Sequence, residues 1–156
     1  MTDLKQYCSF FVADLFFGVE VQLVQEVIRY QEMTAVPLAT QEIGGLINLR
    51  GQIVTAIDLR RRLDLPDRAP GKLPMNVVVR TDDMAVSLLV DEIGDVLDVE
   101  AATYEPVPET LTGPARELIS GVYKLSNRLL LVLDTHKSTE IAAHERQSDQ
   151  TTRIAA

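Results

Sequence analysis

The sequence contains few of the residues from which catalytic and metal sites are built. It has two histidines, His136 and His144, near or in the polar C-terminal part, and their spacing is not that of metal ligands. Its one cysteine, Cys8, cannot form an internal disulfide and is typical of a small buried hydrophobe at the entrance to a strand. We therefore expect a protein without enzymatic activity, cofactor or metal, in a reducing compartment such as the cytoplasm.

Positive charge and long apolar runs are also scarce. The chain has 15 Lys and Arg against 23 Asp and Glu, which gives a net charge of −8. This balance argues against nucleic-acid binding and against docking on an anionic membrane. No apolar run approaches the roughly 20 residues of a membrane span. Residues 1–6 lack the basic and apolar regions of a signal peptide.

Three charged or glycine-containing segments do not match known ligand motifs. Residues 44–45 are both glycine, but no Lys-Ser or Lys-Thr follows them, as a phosphate-binding loop requires. The spacing of the acidic residues between 91 and 98 does not match a calcium loop of alternating ligands with a central turn glycine. The three arginines at 60–62 suggest phosphate binding, but a solvated face near a helix end is the favoured interpretation. We expect the acidic segment to be a solvated face as well.

The sequence does contain enough apolar residues for a folded core. Hydrophobic residues make up 46% of the 156 positions, which excludes global disorder. The length fits one ordinary domain or two very small lobes that share a core.

The most informative segment is a predicted β-hairpin over residues 44–59. Apolar residues flank the tetrapeptide Asn48, Leu49, Arg50 and Gly51 on both sides, which predicts a strand, a tight turn at Arg50 and Gly51, and a second strand. Two interpretations of Arg50 are open. Its guanidinium can clamp a carboxylate or a carbonyl pair, or its aliphatic stem can merely cover the hairpin.

A related segment recurs later in the chain. Residues 121–134 match residues 45–58 without a gap, at an offset of 121 − 45 = 76. Upstream, residues 90–93 match residues 24–27, at an offset of 90 − 24 = 66. These matches predict two copies of one β-rich unit. The second copy has Lys-Leu-Ser-Asn in place of Asn-Leu-Arg-Gly, so the tetrapeptide is not needed to form the hairpin.

The rest of the chain is predicted as further strands, turns and short helices. The predicted elements are a loose lead-in to residue 7, strands at 9–15 and 17–21 with a turn near 16–18, a helix at 23–30, a strand at 33–36, a helix at 59–63 capped by Asp58, a Pro-rich connector at 65–74, strands at 76–80 and 84–90 joined at 82–83, and a last hairpin of 119–125 and 128–133.

Over residues 8–140 the chain resembles the CheW-like coupling proteins of bacterial chemotaxis. The first-half signature is Val36-Pro37, Ile43, Gly45, Asn48-Leu49-Arg50-Gly51, Ile53-Val54 and Ile57-Asp58-Leu59-Arg60. The second-half signature is Val90-Asp91, Val96, Pro106, Pro108, Gly121, Leu125 and Leu133-Asp134. Thr40 and Thr55 stand where many members of the family have proline.

The resemblance implies a mainly β fold. We expect two small five-stranded, SH3-like β-barrel lobes side by side, with short helices, as the product of the internal duplication. Lobe 1 is expected at about 8–70 and lobe 2 at about 71–134, in a single domain of residues 8–140 whose termini can cross between lobes. Residues 141–156 are expected to form a polar tail.

The resemblance also implies a function. We expect an adaptor that joins chemoreceptors to the regulatory domain of a histidine kinase, and that reaches membrane receptor arrays through its partners. The helical tip of the receptor is expected in an apolar groove between the lobes. By position in the family motif, Gly45, Asn48 and Arg50 lie near the receptor, and Val24 and Glu26 contact the receptor or the kinase.

Other functions stay open at this point. One is the equivalent adaptor of a pilus or developmental signalling pathway, and another is a small-molecule-binding module that uses the cleft between the lobes. No receiver domain or kinase core accompanies the module, which favours a free-standing coupling protein.

Overall fold

The computed structural model describes residues 3–82 and 84–140, and these residues are mainly β. The strands are β1 (Leu4–Val12), β2 (Leu15–Glu20), β3 (Val24–Ile28), β4 (Ile43–Leu49), β5 (Gln52–Asp58), β6 (Met75–Thr81), β7 (Met84–Val90), β8 (Glu92–Glu100), β9 (Ile119–Lys124) and β10 (Leu129–Leu133). The helices are α1 (Leu59–Arg62), α2 (Pro114–Leu118), two 3₁₀ turns (Val21–Leu23 and Ala101–Thr103) and residues 135–140. The predicted tail at 141–156 lies outside the described residues.

The strands form two five-stranded sheets, as predicted. Their orders are β8-β1-β2-β10-β9 and β3-β6-β7-β5-β4. Each sheet is open, because no ladder in the described residues joins its two edge strands. A single antiparallel bridge brings each sheet close to a barrel: Thr34 exchanges two 2.8 Å backbone hydrogen bonds with Leu46 on β4, and Glu105 pairs with Val122 on β9. The predicted strand at 33–36 is reduced to this one bridge.

Each sheet combines strands from both halves of the sequence. One sheet contains β1 and β2 with β8, β9 and β10, and the other contains β3, β4 and β5 with β6 and β7. The chain therefore crosses between sheets after β2 and returns after β7. Sheet membership does not follow the predicted lobe ranges of 8–70 and 71–134, because the first two strands of each range, β1–β2 and β6–β7, belong to the sheet of the other range.

Strand registers show the internal duplication at the two hairpins. In the first, Leu46 lies opposite Thr55, and in the second Val122 lies opposite Leu131. Both members of the pair shift by the predicted 76 residues (122 − 46 and 131 − 55). In both hairpins the strand register also shifts near the start of the first strand. The two hairpins therefore have the same backbone pairing, including this irregularity.

The upstream repeat has a different offset from the predicted one. Val24 on β3 pairs with Val79, and Ile93 on β8 pairs with Phe10. Both relations give an offset of 69 (93 − 24 and 79 − 10). The match of Val24 to Val90 at an offset of 66 is therefore wrong by three residues.

The segment predicted as a helix at 23–30 is the strand β3. A bulge between Val24 and Glu26 breaks the two-residue alternation of the strand. Its apolar residues therefore fall at intervals that resemble a helical spacing. The backbone hydrogen bonds are made to β6 instead, and the β-branched residues Val24, Val27 and Ile28 suit a strand.

The N-terminal hairpin turns earlier than predicted. Its turn is at Ala13 and Asp14, and Phe16 and Phe17 are buried residues of β2. Strand β1 already begins at Leu4, so the predicted loose lead-in is part of the sheet. The structure confirms four other predictions: the β4–β5 hairpin, the Asp58 cap on α1, the strands β6 and β7, and the last hairpin.

The two sheets pack around one shared core. Its largest cluster contains Phe10 and Phe17 from one sheet and Val79 and Leu88 from the other, all fully buried. Each sheet also has a smaller cluster of its own, centred on Tyr123 in one and on Ile47 in the other. Because the large cluster is shared, each sheet would expose its apolar face to water if the other sheet were absent.

An ion network reinforces the joint between the sheets. Arg60 Nη2 lies 2.7 Å from Asp91 Oδ2, and the Ala13 amide donates to the same oxygen at 2.6 Å. Arg68 bridges Asp91 and Asp58 at 2.9 and 3.1 Å. The prediction that residues 60–62 and the acidic segment lie on solvated faces is therefore wrong for Arg60 and Asp91, whose side chains are only 19% and 16% exposed.

The network shifts the ionisation of Asp91. Burial disfavours its charged form, but hydrogen bonds from Arg60 and the Ala13 amide, with Arg68 nearby, outweigh burial. The pKa of Asp91 is therefore held below its usual range. The Arg60 pKa is raised in turn by its hydrogen bond to Asp91.

Candidate functional site

The β4–β5 turn is built by its own sequence. Arg50 and Gly51 have φ angles of 50° and 88°, and positive values at both central residues define the type I′ turn that suits a two-residue hairpin. The Asn48 side chain accepts a 2.9 Å hydrogen bond from the Gly51 amide. Asn48 therefore holds the shape of the turn, and Arg50 is projected from a rigid support.

Arg50 forms an ion pair with Glu26 on β3. The Arg50 Nη2 group donates to Glu26 Oε2, while 72% of the Arg50 side chain and 21% of the Glu26 side chain remain exposed. β3 and β4 are the two edge strands of one sheet, so the pair connects opposite edges. The carboxylate expected as a target of Arg50 thus lies in the same chain.

Only one of the two carboxylate oxygens of Glu26 has a hydrogen-bond partner in the described residues. Its Oε1 atom is buried and accepts no hydrogen bond from residues 3–82 and 84–140. The outer face of the Arg50 guanidinium stays open to solvent. The pair therefore keeps hydrogen-bonding capacity beyond the contact that it makes internally.

Gly45 is required by the close approach of a neighbouring segment. Its φ is 151°, and a Cβ at this position would lie 2.9 Å from Met33 Cβ and 2.9 Å from the Thr34 carbonyl oxygen. The duplication repeats this arrangement, because a Cβ at Gly121 would overlap the Tyr104 ring. Gly45 thus has a structural role whether or not a partner approaches it.

The structure brings some of the five predicted site residues together. Glu26, Asn48 and Arg50 meet at the turn end of the β4–β5 hairpin. Val24 lies two residues from Glu26 on β3, and its partly buried side chain packs against the shared core. Gly45 lies further along β4, beneath the 33–34 segment. No group of three metal-ligating side chains occurs in the described part of the chain.

Exposed apolar residues on the strands were missed by the sequence analysis. Val27 on β3 and Val96 on β8 are 38% and 58% exposed, and they are equivalent at the offset of 69. Ile53 and Leu129, 51% and 39% exposed, are equivalent at the offset of 76. The repeat is the signal that could have identified them: the corrected offset of 69 relates Val27 to Val96, and the predicted offset of 76 relates Ile53 to Leu129.

The corresponding hairpin end of the other sheet has different chemistry. There Arg128 stacks on two aromatic rings, 4.9 Å from the centre of Phe16 and 5.4 Å from that of Phe11. Neither ring is an ion-pair partner. The two hairpin ends are therefore alike in backbone and different in the contact that an arginine makes.

The two sheets together correspond to one known domain. Residues 6–142 match the family model described as the CheW-like domain. The chain belongs to the CheW-like domain family. This family match covers every strand of both sheets from Gln6 onward.

Relatives of this CheW-like chain share most of its length. It is 32% identical over 120 residues to the chemotaxis protein CheW of Bacillus subtilis, covering 77% of each protein. It is 27% identical over 136 residues to that of Treponema pallidum, covering 85% of this chain and 80% of the relative. The crystal structure of the scaffolding protein TtCheW from Thermoanaerobacter tengcongensis is similar with a TM-score of 0.77 and 26% identity, over 86% of this chain and 90% of that chain.

Proposed function

We propose that this CheW-like chain is a non-enzymatic adaptor that couples chemoreceptors to a chemotaxis histidine kinase. The observation that carries the proposal is the family match over residues 6–142, which includes both sheets. The relatives named as chemotaxis proteins and the structure titled as a scaffolding protein support it.

The proposed receptor site is the region around Arg50 and the edge of β3. An α-helical receptor tip binds by placing apolar anchors in a groove, and a neighbouring charge fixes its register. Val27, which follows Glu26 on β3, supplies an exposed apolar side chain at the same sheet edge. Val24 packs against the shared core and so supports this part of β3 from within.

The remaining proposed site residues act through shape. Gly45 admits the 33–34 segment against β4, and Asn48 fixes the turn that carries Arg50. We propose that their substitution changes receptor binding by moving the Arg50 side chain. The second partner is the regulatory domain of the kinase.

We propose that the adaptor works on the cytoplasmic side of receptor membranes and reaches them through the receptor. None of the described helices is long and apolar enough to cross a bilayer. The net charge of −8 opposes direct binding to anionic lipid. Membrane association should therefore require receptor.

Co-sedimentation tests the proposal. The wild-type chain should sediment with membranes that contain receptor, stay in the supernatant with receptor-free membranes, and bind the isolated regulatory domain of the kinase. Arg50→Ala should weaken receptor binding about tenfold, the scale of one lost charge-assisted contact.

Lys124→Ala is the matched control. Lys124 is 71% exposed, forms an ion pair with Glu105 at 3.4 Å, and lies on the corresponding hairpin of the other sheet. It should bind receptor as the wild type does. If the wild-type chain binds neither receptor nor kinase domain, the proposal is wrong. If it binds only components of a pilus pathway, it is the adaptor of that pathway instead.

A further inference from the structure

The loop between β3 and β4 contains a turn with an unusual residue. The Ala39 amide donates a 3.3 Å hydrogen bond to the Val36 carbonyl, which closes a turn with Pro37 and Leu38 at its centre. Leu38 has a φ of 63°. Proline at the second position and a positive φ at the third are the features of a type II turn.

Leucine does not suit this position. The third residue of a type II turn is normally Gly or Asn, because at positive φ the Cβ of other residues is crowded by the backbone carbonyl oxygen. Packing does not compensate for the strain, since Leu38 is 104% exposed. The other non-glycine residues with positive φ are alanine, aspartates or the ion-paired Arg50; they are Ala13, Arg50, Asp64 and Asp82.

The loop around Leu38 is apolar and held in place. Residues 33–41 contain no charged side chain, although charged residues make up 24% of the chain. Thr34 pairs with Leu46 at one end, and Arg61 Nη1 donates to the Gln41 carbonyl at 3.1 Å at the other. Leu38 is thus a fixed apolar projection from a loop that has no charged side chain of its own.

This projection is separate from the Arg50 region. The loop precedes Ile43 at the start of β4, whereas Arg50 follows Leu49 at its end. A seven-residue strand spans about 20 Å. One partner can therefore occupy the Arg50 end while another contacts Leu38, which is what an adaptor between two proteins requires.

We propose that Leu38 is an anchor that inserts into an apolar, uncharged pocket on the kinase partner of this adaptor. The inference rests on the proposed function. A residue that strains the free protein and buries nothing in it is explained when a partner buries it. Because the turn already holds the side chain in place, little conformational entropy is lost on binding.

Three variants test the anchor. Leu38→Asn removes both the apolar side chain and the backbone strain, so the melting temperature should rise by about 1–4 °C. Its affinity for the kinase regulatory domain should fall about tenfold or more, the scale expected for one buried leucine. Leu38→Ala keeps most of the strain, and should lose affinity with little gain in melting temperature.

Leu73→Asn is the matched control, because Leu73 is also an exposed leucine, at 63%, in the connector before β6. It should change neither quantity. Receptor co-sedimentation should be unchanged in all three variants, since the anchor serves the kinase.

Several results would overturn the proposal. Wild-type affinity of Leu38→Asn for the kinase domain, or a loss of receptor binding instead, refutes this role of Leu38 alone. Self-association of the wild type that disappears in Leu38→Asn makes a second copy the occupant and also refutes it. A wild-type chain that binds no kinase domain refutes the adaptor function together with the anchor.

Discussion

Arg50 and Glu26 connect the two edge strands of one sheet through an ion pair. The residues are 24 positions apart and lie on strands that form no ladder with each other. The contact at the hairpin turn therefore complements the single Thr34–Leu46 bridge further along β4. The proposed receptor site is therefore a second point, besides that bridge, at which the two edges of the open sheet are connected.

The first prediction concerns this pair. Because Arg50 is largely exposed, the single variants Arg50→Ala and Glu26→Ala should each lower the free energy of unfolding by about 0.5–1 kcal/mol. The double variant should lose less than the sum of the two, with a coupling energy of similar size. Urea denaturation of the four proteins measures it. Strictly additive losses would show that the interaction between the two side chains does not stabilise the fold.

The second prediction concerns Gly45. Gly45→Val should destabilise the fold by about 2–4 kcal/mol, because its Cβ meets the Met33 side chain and the Thr34 carbonyl. Gly51→Ala is the control: its Cβ meets nothing within 4 Å, so only the positive φ costs free energy, about 1–2 kcal/mol. Urea midpoints rank the two variants. Equal losses would remove the close-packing explanation of Gly45.

The third prediction concerns pH. The pKa of Asp91 is lower in the folded chain than in the unfolded chain, so its charged form stabilises the fold above the usual aspartate range. That contribution declines as pH falls below about 4 and is lost once the folded-state carboxyl is protonated. Asp91→Asn should therefore be less stable than the wild type at pH 7, by about 2–4 kcal/mol, with a gap that narrows towards pH 3.

Urea titrations of the wild type and Asp91→Asn at pH 7, 5, 4 and 3 measure the gap. Asp98→Asn serves as the control, because Asp98 is an exposed residue of β8 that carries the same nominal charge. It should be within about 0.5 kcal/mol of the wild type throughout. A gap that widens on acidification contradicts the assignment of Asp91.

Short-range features of the fold were predictable from the sequence. The β4–β5 hairpin follows from apolar flanks and a two-residue turn, and Asp58 before α1 is a standard helix cap. The repeat at the offset of 76 also identified the second hairpin correctly. The hairpin and the cap depend on neighbours within a few residues, and the repeat is a likeness between two segments of the sequence, so a single sequence displays all three directly.

Long-range pairings were not predictable in the same way. The bulge in β3 imitates helical spacing, and the network of Arg60, Arg68 and Asp91 joins residues 23 to 31 positions apart. The repeat shows which segments are alike, but not which sheet each one enters. The contact between Arg50 and Glu26 was missed for the same reason, although both residues had been selected as site candidates.

The exchange of strands between the halves has a mechanical consequence. Two lobes joined by one linker can be pulled apart by stretching that linker. Here the chain crosses between the sheets twice, after β2 and after β7, and the two sheets share their largest apolar cluster, so separating the lobes requires stretching two connections and exposing that cluster to water. A load applied to one lobe by one partner is thus shared between two chain crossings and a common core.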